Sequence, residues 1–285
     1  DFRPDENHSN ELLVAASPSD EVADTHWLRA DFDAFLVEQA KQLGVCYLDQ
    51  TEIDIVSEGA PWQLHGRRGD ETVECTAAFL IDATGPRSVL ARRLGIDMAP
   101  TGLRTRSWSI YTHFENVGLW EEIARERGCR VEEHPYRCDD AALHHVLEEG
   151  WMWVLRFDHG LTSVGLMLDG HRTTPRADLS PEEQWEAIVH RYPDLSRQLE
   201  RAKPVRAYER TPLLQRRAAR MAGPDWAMLA PSAYSLDALY STGNAHALHS
   251  IQRLARLLER PEGRPERLSA YDKTLQREID FLDRL

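Results

Sequence analysis

The chain has 285 residues and a mass of 32.6 kDa, enough for one large domain or two modest ones. Hydrophobic residues make up 42% and charged residues 28%, which excludes disordered, collagen-like and low-complexity chains. The net charge of −13 disfavours nucleic-acid binding, because an acidic protein repels phosphate backbones. Apolar runs stay far below the ~18 residues of a membrane-spanning helix, so we expect neither a nucleic-acid nor a membrane partner.

The cysteine spacing indicates the cellular compartment of the protein, and the first residues indicate whether the sequence is part of a longer chain. No pair of cysteines has the CxxC spacing of a zinc or redox site, so we expect reduced thiols in a cytoplasmic protein. No metal site is expected either: His134 with Cys129 and Cys138, and the pair His246 and His249, match no ligand template. The polar opening DFRPDENHSN has no signal-peptide pattern, and we interpret the chain as cut from a longer one.

The first hundred residues predict a strand, a helix, several strands and a second helix. Residues 11–16 (ELLVAA) form the first strand-like run. The helix after it is amphipathic, with Asp31 as cap, Gly44 as stop, and apolar residues at helical spacing: Phe32, Phe35, Leu36, Ala40 and Leu43. Alternating strands fill residues 45–82, the last being a buried run over 78–81, and a helix over 87–94 ends at Gly95.

The middle of the chain predicts a sheet and the end predicts helices. On the strand near residue 110, one face carries Trp108, Ile110, Thr112 and Phe114. A hairpin follows later in the chain. One face of its first strand carries Trp151, Trp153, Leu155 and Phe157, and the other carries Met152, Val154 and Arg156. Ser180 opens a helix with a capping box, and Pro193 is expected to end it. A buried strand over 226–229 precedes helices over 243–260 and 265–285, the former with an apolar stripe of Leu248, Ile251, Ala255 and Leu258. This order predicts an α/β layer interrupted by an α+β insert.

Two segments have the pattern of a cofactor site. The apolar strand of FLIDATGP ends at Asp82, and the small residues behind it would let a cofactor approach the backbone. Farther on, the strand at 226–229 leads through a loop to a helix that starts with Ser-Thr-Gly-Asn, whose free N–H groups would attract a reduced flavin, a halide or a peroxide anion. An ordinary strand–turn–helix joint and ordinary helix capping remain the alternatives.

Two weaker signals concern aromatic and charged residues. Trp151 and Trp153, two apart on a strand, indicate either an aromatic stripe of the core or the wall of an aromatic ligand pocket. Arg29 at a helix start indicates either a phosphate or carboxylate contact or a surface ion pair.

Taken in order, four segments resemble the flavin-dependent monooxygenases of the p-hydroxybenzoate hydroxylase fold, especially the flavin-dependent (tryptophan) halogenase-like branch. They are HWLRADFD, FLIDATGPRSVLARRLG, GWMWVLRFDHGLTSVGLML and SLDALYSTGNAHALHSIQRLARLLE. The resemblance implies an FAD-binding fold that is incomplete at its N-terminus, because no GxGxxG motif is present, and a substrate domain on a mixed or antiparallel sheet. It implies FAD-binding parts at 1–100, which include the first substrate-sheet strand, and at 211–285, with the substrate domain at 101–210.

The resemblance also implies an FAD-dependent oxidoreductase that acts on an aromatic or other apolar small molecule through a flavin hydroperoxide, with a separate flavin reductase as partner. The fragment alone is expected to be inactive, and no catalytic residue is predicted. The implied cofactor contacts are Arg29, Asp82, Ala83, Thr84, Gly85, Asp237, Ala238, Leu239, Ser241, Thr242 and Gly243. The implied substrate pocket contains Trp108, Trp151, Trp153 and Tyr240.

Several positions depart from the halogenase pattern. Ala238 replaces the proline of the flavin-facing motif, the tryptophan motif ends in Leu155-Arg156, and Tyr240 stands where tryptophan halogenases carry glutamate. None of Lys41, Lys203 and Lys273 matches the halogenase lysine. A flavin reductase or dehydrogenase of the same fold, or a noncatalytic ligand-binding fragment, therefore remain alternatives.

Overall fold

The structure, a computed structural model, describes residues 2–4, 7–12, 25–260 and 262–285. The strand predicted over residues 11–16 lies largely outside this part of the chain. The strands and α-helices are, in order, α1 (Arg29–Gln42), β1 (Thr51–Ser57), β2 (Trp62–Arg68), β3 (Glu71–Ala77), β4 (Leu80–Asp82), α2 (Val89–Arg93), β5 (Ser107–Glu115), α3 (Trp120–Glu126), β6 (Leu143–Leu147), β7 (Gly150–Arg156), β8 (Thr162–Asp169), α4 (Pro181–Val189), α5 (Pro193–Gln198), β9 (Lys203–Pro204), β10 (Glu209–Arg210), β11 (Arg216–Arg217), β12 (Ala222–Gly223), β13 (Trp226–Met228), α6 (Ala230–Ala233), β14 (Tyr234–Ser235), α7 (Thr242–Leu258) and α8 (Arg264–Leu282). Within these residues no helix is both long and apolar enough to cross a membrane.

The chain divides into two compact units. The first unit comprises Asp1–Gly44 and Trp108–Leu213, and the second comprises Val45–Ser107 and Leu214–Leu285. The domain boundaries expected at 101 and 211 stay predictions. The amino-terminal segment, however, clusters with the first unit, where the ring of Phe2 packs edge-on against Trp120. Which unit binds cofactor and which binds substrate stays a prediction.

The first unit is built on a sheet with strand order β10-β5-β8-β7-β6, and β9 pairs with β5. Side chains alternate across the strands as predicted: Met152 and Val154 of β7 are buried with Trp108 of β5, while Trp151 and Trp153 lie on the opposite, half-exposed face. Helices α4 and α5 cover the buried face, where they contribute Trp185, Ile188, Val189 and Leu195 to the core.

Trp153 requires a glycine on the neighbouring strand. Gly165 of β8 stands directly opposite Trp153 of β7 in the antiparallel register. A Cβ atom built at Gly165 would lie 2.0 Å from Cζ2 of the indole ring, far inside van der Waals contact. The indole Nε1 also donates a hydrogen bond to Oγ of Ser163 over 3.1 Å. The indole is thus held flat on the sheet, above the position that a side chain would take.

The second unit contains a three-stranded antiparallel sheet, β1-β2-β3, and a small sheet of order β12-β13-β4. Strands β4 and β13 are parallel, with Met228 opposite Asp82. Helix α8 packs its buried residues into the same core as β13 and α7; they are Leu268, Tyr271, Leu275 and Ile279. The fold is the predicted combination of an α/β layer with a largely antiparallel insert.

Four local predictions differ from the structure. Helix α1 begins at Arg29, so Asp31 lies inside its first turn and does not cap it. None of its residues is buried, and the side chains on its apolar face, such as Phe35, are exposed. Pro193 begins α5 instead of only ending α4, because proline suits the first turn of a helix.

The apolar stripe predicted on α7 is also not its buried face. Leu248 and Ile251 are exposed, whereas Leu254 and Ser250 are buried. Helical spacing identifies apolar faces but not which of them finds a partner, because packing depends on distant parts of the chain.

Asp82 organises the turn that follows β4. Its Oδ1 accepts hydrogen bonds from the backbone N–H and hydroxyl of Thr84, over 2.8 and 2.6 Å. Its Oδ2 accepts from the Ser88 hydroxyl and the Leu90 N–H, over 2.7 and 2.8 Å. Burial by itself raises the pKa of Asp82, but these hydrogen bonds outweigh it and hold the pKa below its usual value. The carboxylate is therefore fully used inside the protein.

We predict that Gly165→Ala lowers the free energy of unfolding by about 1–3 kcal/mol, because the new methyl group must displace the Trp153 ring. Urea unfolding followed by tryptophan fluorescence measures this. The matched control is Gly243→Ala: a Cβ there meets nothing within 4 Å, and alanine favours a helix, so stability should hold or rise. Equal stability of Gly165→Ala and the unmodified chain would contradict the packing of Trp153.

A second prediction concerns Asp82→Asn, which should cost about 2–3 kcal/mol at neutral pH, because an amide NH₂ would face the N–H donors of the turn. The lowered pKa means that the carboxylate contributes stability above its unfolded-state pKa of about 3.9 and loses it as pH falls through the folded-state value. The stability difference should consequently shrink below about pH 4. Urea titrations across pH test this, with the exposed Asp70→Asn as control. A difference independent of pH would contradict the role of the charge.

Candidate functional site

A cavity of about 180 Å³ opens in the second unit, between the residues after β13 and the start of α7. Predicted cofactor residues Asp237, Thr242 and Gly243 line it together with Arg216, Ala230, Pro231, Tyr234, Ser235, Leu236, Asn244, Ala247 and Leu282. Drug-sized ligands occupy pockets of roughly 300–1,000 Å³. The cavity by itself would therefore hold only part of a large cofactor.

The loop along one side of the cavity is fixed by a buried polar network. The Gln215 side chain donates to the Ser107 hydroxyl and the Leu236 carbonyl, over 2.9 and 2.8 Å, and accepts from the Ser107 N–H over 2.8 Å. The Ser107 hydroxyl then donates to Oδ2 of Asp237 over 2.7 Å, while Oδ1 accepts from the Leu239 N–H over 3.0 Å. Asp237 thus shapes the loop, and its carboxylate is not free for a ligand.

The residues just before α7 have a strained backbone. Tyr240 and Ser241 have φ values of 56° and 51°, in the left-handed region that side chains other than glycine rarely adopt. Two such residues in succession cost free energy, and such strain concentrates at functional sites. The Ser241 side chain makes no capping hydrogen bond to α7. The ordinary capping that was the alternative for this segment is consequently not formed by Ser241.

Gly243 leaves the helix start open. A Cβ atom built on it meets nothing within 4 Å, and the residue lines the cavity in the first turn of α7. The first N–H groups of a helix have no partner within the helix and carry a partial positive charge. The cavity therefore offers donors for negative charge at a place where a flat ligand could approach the backbone.

Arg216 adds a cation to this cavity, and sequence reasoning missed it. Its guanidinium donates to the carbonyl of Pro231, and burial lowers its pKa from the ordinary value, although an arginine stays charged. The neighbouring Arg217 instead pairs with Asp280 over 2.6 Å. Two adjacent arginines are typical of an exposed, charged surface. Only the fold shows that Arg216 lines a cavity.

A chain of polar groups connects buried Tyr234 of the cavity wall to α8. The Tyr234 hydroxyl contacts Nδ1 of His246, whose Nε2 lies 2.8 Å from Oε2 of Glu278. Arg253 donates to both oxygens of Glu278, over 2.9 Å each. Burial raises the pKa of Tyr234 well above its usual value, so this hydroxyl stays protonated. The chain of contacts ties α7 to α8 behind the cavity.

The turn after β4 lies at the same sheet edge as the loop after β13. Because β4 and β13 are parallel neighbours, both segments leave from the carboxyl ends of their strands. The Gly85 N–H donates to Oγ of Ser232 in α6 over 2.8 Å, next to Pro231 of the cavity. The structure thus joins the turn after β4 to α6, whose Ala230 and Pro231 line the cavity together with the start of α7. Ala83 and Thr84 are exposed in this turn, and Ala238, Leu239 and Ser241 are exposed in the loop before α7.

Arg29, the remaining predicted cofactor residue, lies in the first unit. Its Nε and Nη2 donate to the two oxygens of Asp33 over 2.7 and 2.8 Å, and both side chains are exposed. The structure therefore forms the surface ion pair that was the alternative for Arg29. A pair between exposed residues is easily exchanged for another partner, because it contributes little free energy.

The predicted substrate residues are not all neighbours. Trp151 and Trp153 lie 5.9 Å apart between ring centroids, and their face of the sheet also carries Tyr111 and His144. Trp108 is fully buried on the opposite face, with its Nε1 donating to Thr173. It therefore cannot share a wall with the other two tryptophans of that sheet. The fourth residue, Tyr240, belongs to the second unit.

The curated proteins to which this chain is similar include halogenases. A tetracycline 7-halogenase of Kitasatospora aureofaciens is 30% identical over 99% of this chain and 51% of its own length. The monodechloroaminopyrrolnitrin halogenase PrnC of Pseudomonas fluorescens is 30% identical over 91% of this chain and 46% of its own length. The chain thus spans about half the length of these relatives. No protein-family model matches it.

Solved structures agree with the sequence relatives. The halogenase PltM, in complex with phloroglucinol and FAD, has a TM-score of 0.76 and 26% identity, covering 87% of this chain and 50% of PltM. The flavin-dependent halogenase CmlS has a TM-score of 0.72 at 20% identity, covering 92% of this chain and 46% of CmlS. The chain has the p-hydroxybenzoate hydroxylase-like fold of the flavin-dependent halogenases and resembles them in sequence, as its motifs predicted.

Proposed function

We propose that this chain forms the flavin-facing and substrate-facing part of an FAD-dependent, halogenase-like oxidoreductase that acts on an aromatic or other apolar small molecule. The observation that carries the proposal is the cavity at the start of α7, which is left open at Gly243 and is also lined by Ala230 and Pro231 of α6. The turn after β4, the other predicted flavin segment, is hydrogen-bonded to α6 through Gly85 and Ser232. The complex of PltM with FAD supports FAD as the cofactor.

The residues present fit a part of FAD. The open space beside Gly243 admits a flat ring, and the N–H groups of the first turn of α7 would face the negative charge of a reduced flavin. Arg216 would add a positive charge from the other side of the cavity. FAD, when bound, would supply the redox chemistry with oxygen, while the protein binds, orients and shields it. A halide anion would suit the same N–H groups.

The substrate class is inferred from the half-exposed aromatic face of the first unit. Tyr111, Trp151 and Trp153 offer flat apolar surfaces, and Tyr111 and the tryptophans also carry polar groups that can orient a ligand. The hydroxyl of Tyr111 already donates to Glu209 over 2.7 Å. We therefore propose an aromatic small molecule as substrate. A separate flavin reductase as partner and a cytoplasmic location remain predictions of the same proposal.

Replacing Gly243 by valine should abolish FAD retention while leaving the fold intact. The valine side chain would fill the space that the flavin ring needs, whereas no protein atom lies there to be displaced. Flavin absorbance per chain, measured on the whole product of the gene, should fall from about one equivalent to below about a tenth. Ala245→Val is the matched control, since it adds a comparable side chain to the same helix turn at an exposed position outside the cavity. Stoichiometric FAD in Gly243→Val would refute the flavin site.

Trp151→Ala should weaken binding of an aromatic substrate about tenfold, which corresponds to the loss of one aromatic contact. The assay supplies reduced FAD, oxygen, halide and a set of phenols and pyrroles, and detects halogenated or hydroxylated products by mass spectrometry. Val56→Ala, at an exposed position of β1 in the second unit, is the control. Oxidation of reduced FAD without any modified product would favour the dehydrogenase alternative. An unchanged KM in Trp151→Ala would remove this face from the substrate site.

A further inference from the structure

Four side chains capable of binding a metal meet in the first unit, and none of them lines the cavity described above. His8, Glu11, Cys129 and His134 each offer one ligand atom, and these atoms all lie within 4.8 Å of one another. The Cys129 Sγ is 3.0 Å from Oε1 of Glu11 and 3.8 Å from Nε2 of His134. Nδ1 of His8 is 3.3 Å from Oε2 of Glu11. Sequence spacing could not indicate this cluster, because Glu11 and Cys129 are 118 residues apart.

The cluster is built into the protein rather than spread over its surface. Cys129 is 5% exposed and belongs to a small core with Trp120, Ile123 and Val131. The side chains of His134 and Glu11 are only 10% and 14% exposed. The backbone around Cys129 is fixed by its N–H bond to Ala124. Three of the four ligand groups are thus largely withdrawn from water before any ion binds.

A second carboxylate orients His8 from outside the cluster. Nε2 of His8 lies 3.2 Å from Oε2 of Glu133, while its Nδ1 faces Glu11. Glu133 is in turn held by Arg130 over 2.8 Å. Metal-binding histidines characteristically give their outer ring N–H to a carboxylate, which fixes the ring and leaves the other nitrogen for the metal. The His8–Glu133 contact has this arrangement.

The nature of the donors selects the metal. A thiol, two imidazoles and one carboxylate match the ligands of Zn²⁺, whereas Mg²⁺ and Ca²⁺ take oxygen ligands only. Tetrahedral zinc with bonds of about 2.0–2.3 Å places its ligand atoms about 3.3–3.8 Å apart, so the four groups need to move little.

We propose that His8, Glu11, Cys129 and His134 bind one Zn²⁺ ion in a closed structural site. Four protein ligands leave no position for a substrate, so the ion would hold residues 7–12 against residues 129–134. On binding, the thiol of Cys129 loses its proton to solvent and its sulfur bonds to the metal. The zinc site is independent of the proposed flavin site. Both of its segments, 7–12 and 129–134, belong to the first unit, whereas the cavity belongs to the second.

The test uses the 285-residue chain without FAD. After removal of metals with a chelator, it is loaded with zinc or cobalt, desalted and analysed for metal content. We expect about one zinc per chain, a thiolate-to-cobalt charge-transfer absorption, and a higher Tm with zinc than without. Cys129→Ser and His134→Ala should each lower the zinc affinity at least about 100-fold. Cys138→Ser is the control, because that half-buried cysteine lies in the same small core outside the cluster and should leave zinc binding unchanged.

Glu133→Gln covers the case in which a core variant does not fold. Glu133 is 44% exposed, so this variant should keep the circular dichroism spectrum of the unmodified chain. It should still bind zinc, but about 10- to 100-fold more weakly, because His8 is less well oriented. Failure of the unmodified chain to retain zinc, absence of a thiolate–cobalt band, or equal zinc retention by folded Cys129→Ser would each overturn the site.

Discussion

The parallel pairing of β4 with β13 is the constraint on which the candidate flavin site depends. It directs the segments after both strands to the same edge of the sheet, although the paired residues Asp82 and Met228 are 146 positions apart in the sequence. The carboxylate of Asp82 satisfies the turn on one side, and Ser232 accepts the Gly85 N–H on the other. These hydrogen bonds hold the turn after β4 in place, and its residues Ala83 and Thr84 are exposed. A preorganised backbone of this kind suits a cofactor held mainly through N–H groups.

Local patterns predicted most of the elements because they are properties of neighbouring residues. Alternation predicted which side chains of β7 share a face, and the capping box at Ser180 predicted the start of α4. The segments that follow β4 and β13 leave from the same sheet edge, which is a general feature of such folds. The prediction of which helix face is buried was wrong for α1 and α7. Both helices expose apolar residues that helical spacing alone would assign to a core.

The remaining features depend on distant pairs, which no spacing rule encodes. Arg216 faces the cavity because β11 pairs with β14, and nothing in the Arg-Arg sequence distinguishes it from its neighbour. Trp108 shares a sheet with Trp151 but not a face, which becomes evident only when the registers of different strands are combined. The cluster at Cys129 joins residues from two separated segments, so its ligands have no common motif. Long-range contacts of this type are fixed by the whole fold.

Two glycines, Gly165 and Gly243, lie in opposite environments, one tightly packed and one open. Gly165 lies beneath the Trp153 ring, where any side chain would collide with the indole, so its role is packing. Gly243 faces open space in a helix, where alanine would be the more stable choice. Gly243 thus lowers the stability of the helix without avoiding a clash with any described residue, so packing inside the protein does not explain it. The open space beside the first turn of α7 and the guanidinium of Arg216 suits the flat, negatively charged ligand that we propose, and the strained residues Tyr240 and Ser241 directly precede that turn.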